Sequence, residues 1–198
     1  MPSETATAQR KSADSGTVIT QAAAIGVNTV QFIGGEPTLS PHLPRLIRHA
    51  LTADLSVNVY SNLVRATEDL WELFTAPGVA LSTSWYAANR ATHAAITGSS
   101  AAYAATRANI ARAVELGIPI HAAIIAILPG QHTAAAEAEL RALGVTAIVY
   151  ATCRASAAPP ATAATPRLTM AASGRGYSPP PLRAPMVDTG GKRRLDRP

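Results

Sequence analysis

Short apolar runs alternate with helical stripes along residues 17–150. From Thr17, the residues Val18, Ile19, Ala22, Ala23 and Ile25 fall on one helical face, and Gly26 ends the pattern. A strand is predicted over 28–33, and then a helix over 43–53. That helix sets Leu43, Leu46, Ile47 and Ala50 on one side and Arg45 and Arg48 on the other. A second strand spans 56–60. Thr67 then opens a helix whose first turn, Glu68 and Asp69, is acidic as the helix dipole prefers. Leu70, Trp71, Leu73 and Phe74 are its apolar side chains, with Trp71 read as a packing residue. A third strand covers 79–84, and 89–100 reads as loop. A long helix over 101–116 stops at Gly117 with Tyr103, Ile110, Ala113 and Val114 inward. A strand over 119–128, a turn at Pro129-Gly130-Gln131, a helix over 134–143 and a strand over 145–150 complete the pattern. Five strand–helix alternations at this spacing predict an α/β fold with a parallel sheet under covering helices. The pattern alone leaves open sheet and partial barrel undivided.

The first strand ends in a compact junction, Gly34-Gly35-Glu36-Pro37-Thr38-Leu39. Glycines at a strand's end let the backbone take positive φ and approach a ligand without a Cβ in the way. Pro37 removes a donor and stiffens the exit. α/β proteins hold ligands at the carboxyl ends of their strands, where this junction lies. Taken alone it fits either a tight turn with an incidental carboxylate or a ligand shelf.

Charge separates the chain into parts. Residues 1–150 hold nine basic and ten acidic side chains, whereas 151–198 hold eight and two, with eight of the fifteen prolines. The basic balance therefore belongs to a Pro/Ala/Arg-rich tail, marked by Pro179-Pro180-Pro181 and Lys192-Arg193-Arg194. Its composition predicts disorder, because little of its surface can be buried. Residues 1–15 read as a disordered lead-in, leaving 16–150 as the folded domain. A domain close to neutral carries no nucleic-acid signature. No run reaches the roughly 20 apolar residues of a membrane helix. A single cysteine, Cys153, excludes an internal disulfide and makes the cytoplasm the default setting. The five histidines, at 42, 49, 93, 121 and 132, show no metal-binding spacing. His121 reads as a satisfied core residue, and His42 and His49 as exposed or capping. No catalytic residue and no metal ligand are assigned.

Gly34-Gly35-Glu36-Pro37 directly after an apolar strand resembles the GGEP motif of the radical S-adenosylmethionine enzymes. The resemblance covers about Val18 to Tyr150. It is closest to the branch that carries a cysteine-rich extension after the radical domain. It implies a partial (βα) barrel of the TIM-like kind with about five βα units. It also implies that the Gly34–Pro37 backbone holds the amino group of the cofactor's methionine part. Tyr60-Ser61-Asn62 is similar to the family's strand-end Thr/Ser-Asn motif, and Ser82-Thr83-Ser84 ends the next strand, where relatives offer hydroxyl or basic groups to the cofactor. The cofactor-binding set so implied is Gly34, Gly35, Glu36, Pro37, Ser61, Asn62, Ser82 and Ser84. Residues His93, Ile96-Thr97-Gly98-Ser99 and Thr106-Arg107-Ala108-Asn109-Ile110 are similar to the family's linker and following helix. Intact relatives act on small metabolites or peptides.

The chain departs from that family in one respect that governs its chemistry. Complete members carry a CxxxCxxC loop whose thiolates hold a [4Fe–4S] cluster, and cluster ligation needs several thiolates. Cys153 alone stands here, beyond the last predicted strand. The expectation is a truncated, or truncated and frame-shifted, relative: catalytically incomplete, binding S-adenosylmethionine weakly, with an unpaired sheet edge beside 28–33. Such an edge invites pairing with another chain, so a non-catalytic protein completed by a partner is the alternative. An ordinary α/β enzyme binding phosphate at the glycine turn ranks third, since Glu36 would repel the phosphate and no lysine is near.

Overall fold

The computed structural model describes residues 15–154 and 169–171. The predicted lead-in before residue 15 and most of the tail lie outside the described residues. The first helix, α1, covers residues 15–24, followed by β1 (Thr29–Phe32), a single 3-10 turn (Pro37–Leu39) and α2 (Leu43–Thr52). Then come β2 (Ser56–Tyr60), α3 (Glu68–Phe74), β3 (Val79–Trp85), α4 (Arg90–Thr97) and α5 (Ala102–Glu115). The order closes with β4 (Ile120–Ala126), α6 (Thr133–Ala142), β5 (Ala147–Arg154) and β6 (Thr169–Ala171).

Strands β1 to β5 lie side by side in chain order, each parallel to the next, and β6 pairs antiparallel with β5. The order never reverses. A doubly wound sheet reverses at its topological switch point, whereas a barrel winds on in one direction. The topology is therefore that of an open α/β sheet of the partial-barrel kind, the division the hydrophobic pattern left open.

Parity along the strands separates two faces. Val57, Val59, Val79, Leu81, Ala122 and Ile124 are buried on one face against Ile47, Leu70, Phe74, Ile110 and Leu140 of the helices, in one core. Burying each of the valine, leucine, isoleucine and phenylalanine side chains contributes about 1.5–3 kcal/mol. Trp71 is 3% exposed and meets Phe74 edge-on at 5.7 Å, as a packing residue should. The opposite face, in register across the strands, carries Gln31, Asn58, Tyr60, Ser82, Ser84 and His121. Ala80, Ala123 and Ile125 stand among these polar residues.

Several expectations need correction. Strand β1 is not buried: it alternates exposed and half-buried residues at the sheet's edge, and Ile33 beyond it is 63% exposed. The predicted loop over 89–100 holds α4, because the Asn89 side chain caps its start by accepting from the Thr92 N–H at 2.8 Å. Gly98, at φ 72°, ends it in the left-handed conformation. Regular structure does not stop at Tyr150, since β5 continues to Arg154 and is paired over 152–154 by β6. His121 stands half-buried on the polar sheet face rather than in the core. His42 occupies the N-cap position of α2 without a capping side-chain bond. The His49 Nε2 lies 2.9 Å from Thr20 Oγ1 and 3.1 Å from the Gly16 carbonyl, tying α2 to α1. Among the described residues no helix is long and apolar enough to cross a membrane, and no group of three His, Cys, Asp or Glu could hold a metal ion.

Candidate functional site

The carboxyl ends of β1, β2 and β3 enclose a cleft of about 480 Å³. Its rim begins where β1 gives way to Gly34 (φ 102°) and Gly35 (φ 55°). Positive φ at two successive residues is what glycine permits and other residues resist. Among the described residues neither glycine carbonyl accepts a backbone N–H of a turn or cap. Glu36 then resumes extended backbone and caps the 3-10 turn, with Pro37 at its first position.

The Glu36 carboxylate turns back into the protein. Its Oε1 accepts from the Thr38 N–H at 3.1 Å, the Thr38 hydroxyl at 2.7 Å and the Ser61 hydroxyl at 2.6 Å, and its Oε2 accepts from the Asn62 N–H at 2.9 Å. Charge-assisted bonds of this kind are the strong ones. They staple the loop after β1 to the end of β2, so the two shelves forming the cleft move as one. The second shelf is held from behind by α5. Thr106 donates its hydroxyl to the Asn62 carbonyl and Asn109 its amide to the Leu63 carbonyl, both at 2.8 Å. Leu63 needs this support, because it is buried and has φ 52°, a left-handed conformation costly for a branched side chain.

On the sheet face below, hydroxyls and amides bond one another. Ser82 donates to Asn58 Oδ1 at 3.0 Å, and the Tyr60 and Ser84 hydroxyls lie 3.0 Å apart. Beyond β3 the Gln131 side chain pins two loops at once. Its amide donates to the carbonyls of Tyr86 (2.5 Å) and Ile125 (2.7 Å), and its carbonyl accepts from the Ile127 (2.8 Å) and Leu128 (3.1 Å) N–H groups. His93, on α4, closes the far wall. It is 2% exposed and ringed by Trp85, Tyr86 and Tyr103 at centroid distances of 5.2, 5.5 and 5.6 Å. Burial pushes its pKa down, against a smaller upward pull from Glu139. The same carboxylate accepts from the Tyr103 hydroxyl at 2.6 Å and from Arg107 at 2.8 Å, and Tyr103's pKa is raised by burial first and by Glu139 second.

Of the eight residues implied by resemblance, Gly34, Gly35, Glu36, Asn62 and Ser84 line the cleft. Pro37, Ser61 and Ser82 stand behind its wall: Pro37 and Ser61 are buried, and Ser82 is 6% exposed with its hydroxyl on Asn58. His93, Tyr60, Tyr86 and Thr106 also line it, and the sequence reading assigned none of them a role there. For His93 a usable signal was present, since Asn89 and Gly98 mark a helix start and stop around it. Among the described residues no lysine or arginine lines the cleft. A larger hollow of about 590 Å³ lies at the amino ends of β2, β3 and β4, bounded chiefly by apolar side chains such as Leu51, Phe74 and Pro119. α/β folds hold ligands at the other end, and the polar groups converge there too.

Among solved structures, SuiB of Streptococcus suis bound to S-adenosylmethionine is similar, with a TM-score of 0.65 and 13% identity over 71% of this chain and 33% of that one. The same protein bound to its precursor peptide SuiA gives a TM-score of 0.66 at 13% identity, over 71% of this chain and 32% of that one. Native anSMEcpe with bound AdoMet and the Cp18Cys peptide gives 0.56 at 12% identity, over 70% and 42%. At these identities the likeness is one of fold, and this chain spans about a third of SuiB's length. No curated protein matches the chain. The sequence profile of the Radical SAM superfamily matches residues 14–143, well over half of the chain, and this protein belongs to that superfamily.

Proposed function

We propose that the cleft binds S-adenosylmethionine, with the Gly34–Gly35 backbone taking the amino group end of its methionine part. The observation that carries this reading is the glycine shelf itself: two residues at positive φ on the cleft rim, their carbonyls accepting no turn or cap N–H among the described residues and so able to accept from that amino group, and the Glu36 carboxylate bonded to Ser61 and Asn62. A cleft of about 480 Å³ is within the roughly 300–1,000 Å³ of small-molecule sites. Asn62 and Ser84 are the further contacts proposed from the implied set, whereas Pro37, Ser61 and Ser82 support the walls. Bound at a cluster, S-adenosylmethionine supplies a radical by reductive cleavage. A cluster asks for several thiolates, and these 198 residues contain one cysteine. They do not fit that group by themselves, so the function proposed for them is cofactor binding without the cleavage step. SuiB and anSMEcpe are both seen with peptides, and a peptide is the substrate class proposed for the assembled enzyme. The test is calorimetric titration of the chain with S-adenosylmethionine. Gly35→Val forces a branched side chain to φ 55° in open space. It should cut affinity at least about tenfold (1.4 kcal/mol) while the fold survives. Equal binding by the variant would sink the shelf's assignment.

A second reading is favoured by β1, which is the edge of the sheet, with Ile25, Ile33 and Leu39 exposed around it. There the half-barrel pairs with a partner chain through that edge. The two readings are compatible, because the cleft uses the glycine shelf and the edge uses the β1 backbone, with Ile33 bordering both.

A further inference from the structure

His93 lines the cleft with its hydrogen bonding unmade: both ring nitrogens are buried, and neither has a partner among the described residues. A neutral imidazole carries one N–H and one lone pair, and leaving either without a partner is costly. Packing alone does not account for a histidine there, since phenylalanine would fill the same ring-lined space among Trp85, Tyr86 and Tyr103 with no polar atom to satisfy. The charge that acts on His93 is that of Glu139, whose Oε1 is occupied by Tyr103 and Arg107. Its Oε2 is also buried without a partner, so a fixed water shared with His93 is the competing account.

We propose that His93 is a ligand-binding residue, one ring nitrogen making its hydrogen bond to an uncharged hydroxyl or amino group of the nucleoside half of the molecule in the cleft. The uncharged half is indicated because the described residues build this wall of rings and hydroxyls, with no basic side chain among them to meet a carboxylate. Burial keeps the imidazole neutral near pH 7, so it offers a cation no repulsion and an anion no charge. The assignment rests on the reading that the cleft takes S-adenosylmethionine, and deepens it by dividing the site into a methionine shelf at Gly34–Gly35 and a nucleoside wall at His93.

The experiment compares the wild-type chain with His93→Phe and His93→Asn, recording thermal melts without ligand and calorimetric titrations with adenosine and with S-adenosylhomocysteine. Phenylalanine should leave the melting temperature unchanged or raised, because it removes an unsatisfied polar group. It should weaken both ligands about tenfold, the effect of one lost hydrogen bond. Asparagine, which keeps a donor and an acceptor, should recover part of the affinity, and it decides the matter if the phenylalanine variant does not fold. A lower melting temperature for folded His93→Phe would mean that the nitrogens serve the fold through a fixed water, overturning the proposal. So would unchanged affinity in both variants, in which case the S-adenosylmethionine reading itself stands. Failure of the wild-type chain to bind either probe would overturn that reading and this inference with it.

Discussion

Four hydrogen bonds converge on the Glu36 carboxylate, from Thr38 twice, Ser61 and Asn62. Two of those donors lie 25 and 26 residues further along the chain, brought within reach by the parallel register that sets Phe32 beside Val59. Glu36 is therefore the joint between two shelves of the cleft. Glu36→Gln keeps the shape but turns one acceptor oxygen into a donor that faces other donors. It should destabilise the fold by about 1–3 kcal/mol, measured as a lower urea midpoint with an unchanged slope. A variant as stable as wild type would show that the carboxylate is not the joint. The glycine shelf was legible from four letters because its requirement is local, a backbone that accepts positive φ. The role of Glu36 was not, because nothing in its own neighbourhood names Ser61 or Asn62. His93 was hidden for a similar reason: its three ring neighbours come from the end of β3, the loop after it and α5.

At the scale of elements, β2 to β4 and the long helices were legible because each places apolar residues in the core. Helix α4 was not, since its eight residues bury only His93. Caps rather than hydrophobicity specify it. Helix α5 was found from its inward face, yet its contribution to the site comes from polar residues on that face. Thr106 is 2% exposed and its hydroxyl reaches the Asn62 carbonyl, while Asn109 reaches the Leu63 carbonyl beside it. Together they hold a turn that Leu63, at φ 52°, does not adopt cheaply. Thr106→Val keeps the volume and deletes the bond, leaving a carbonyl without its buried donor. The expected loss is about 1–2 kcal/mol of unfolding free energy. Affinity for S-adenosylmethionine should fall as well, because Asn62 lines the cleft. If stability falls while affinity holds, α5 supports the fold and not the site. Thr106→Ser, which restores the hydroxyl, separates the bond from the methyl group.

Across the whole molecule, the sheet is closed unequally at its two sides. Among the described residues, strand β5 gains an antiparallel neighbour in β6, whereas β1 pairs with β2 alone. An edge strand offers a row of backbone donors and acceptors, and charge along it, lysine above all, is the common means of blocking the next chain. Strand β1 reads Thr-Val-Gln-Phe and has no charge, with Ile25 81% and Ile33 63% exposed at its two ends. This edge should therefore pair, with a second copy of the chain when no other partner is present. Sedimentation velocity at rising concentration should show the wild-type protein moving from monomer to dimer or larger species. Replacing Thr29 and Gln31 together with lysine should keep it monomeric without lowering its melting temperature, because both side chains are exposed. The substitutions leave the cleft residues untouched, so S-adenosylmethionine titration of the lysine variant reports on the cofactor reading alone. A wild-type chain that stays monomeric throughout would remove the basis for partner pairing at β1. A lysine variant that still associates would locate the contact on the exposed apolar residues flanking the strand instead of its backbone.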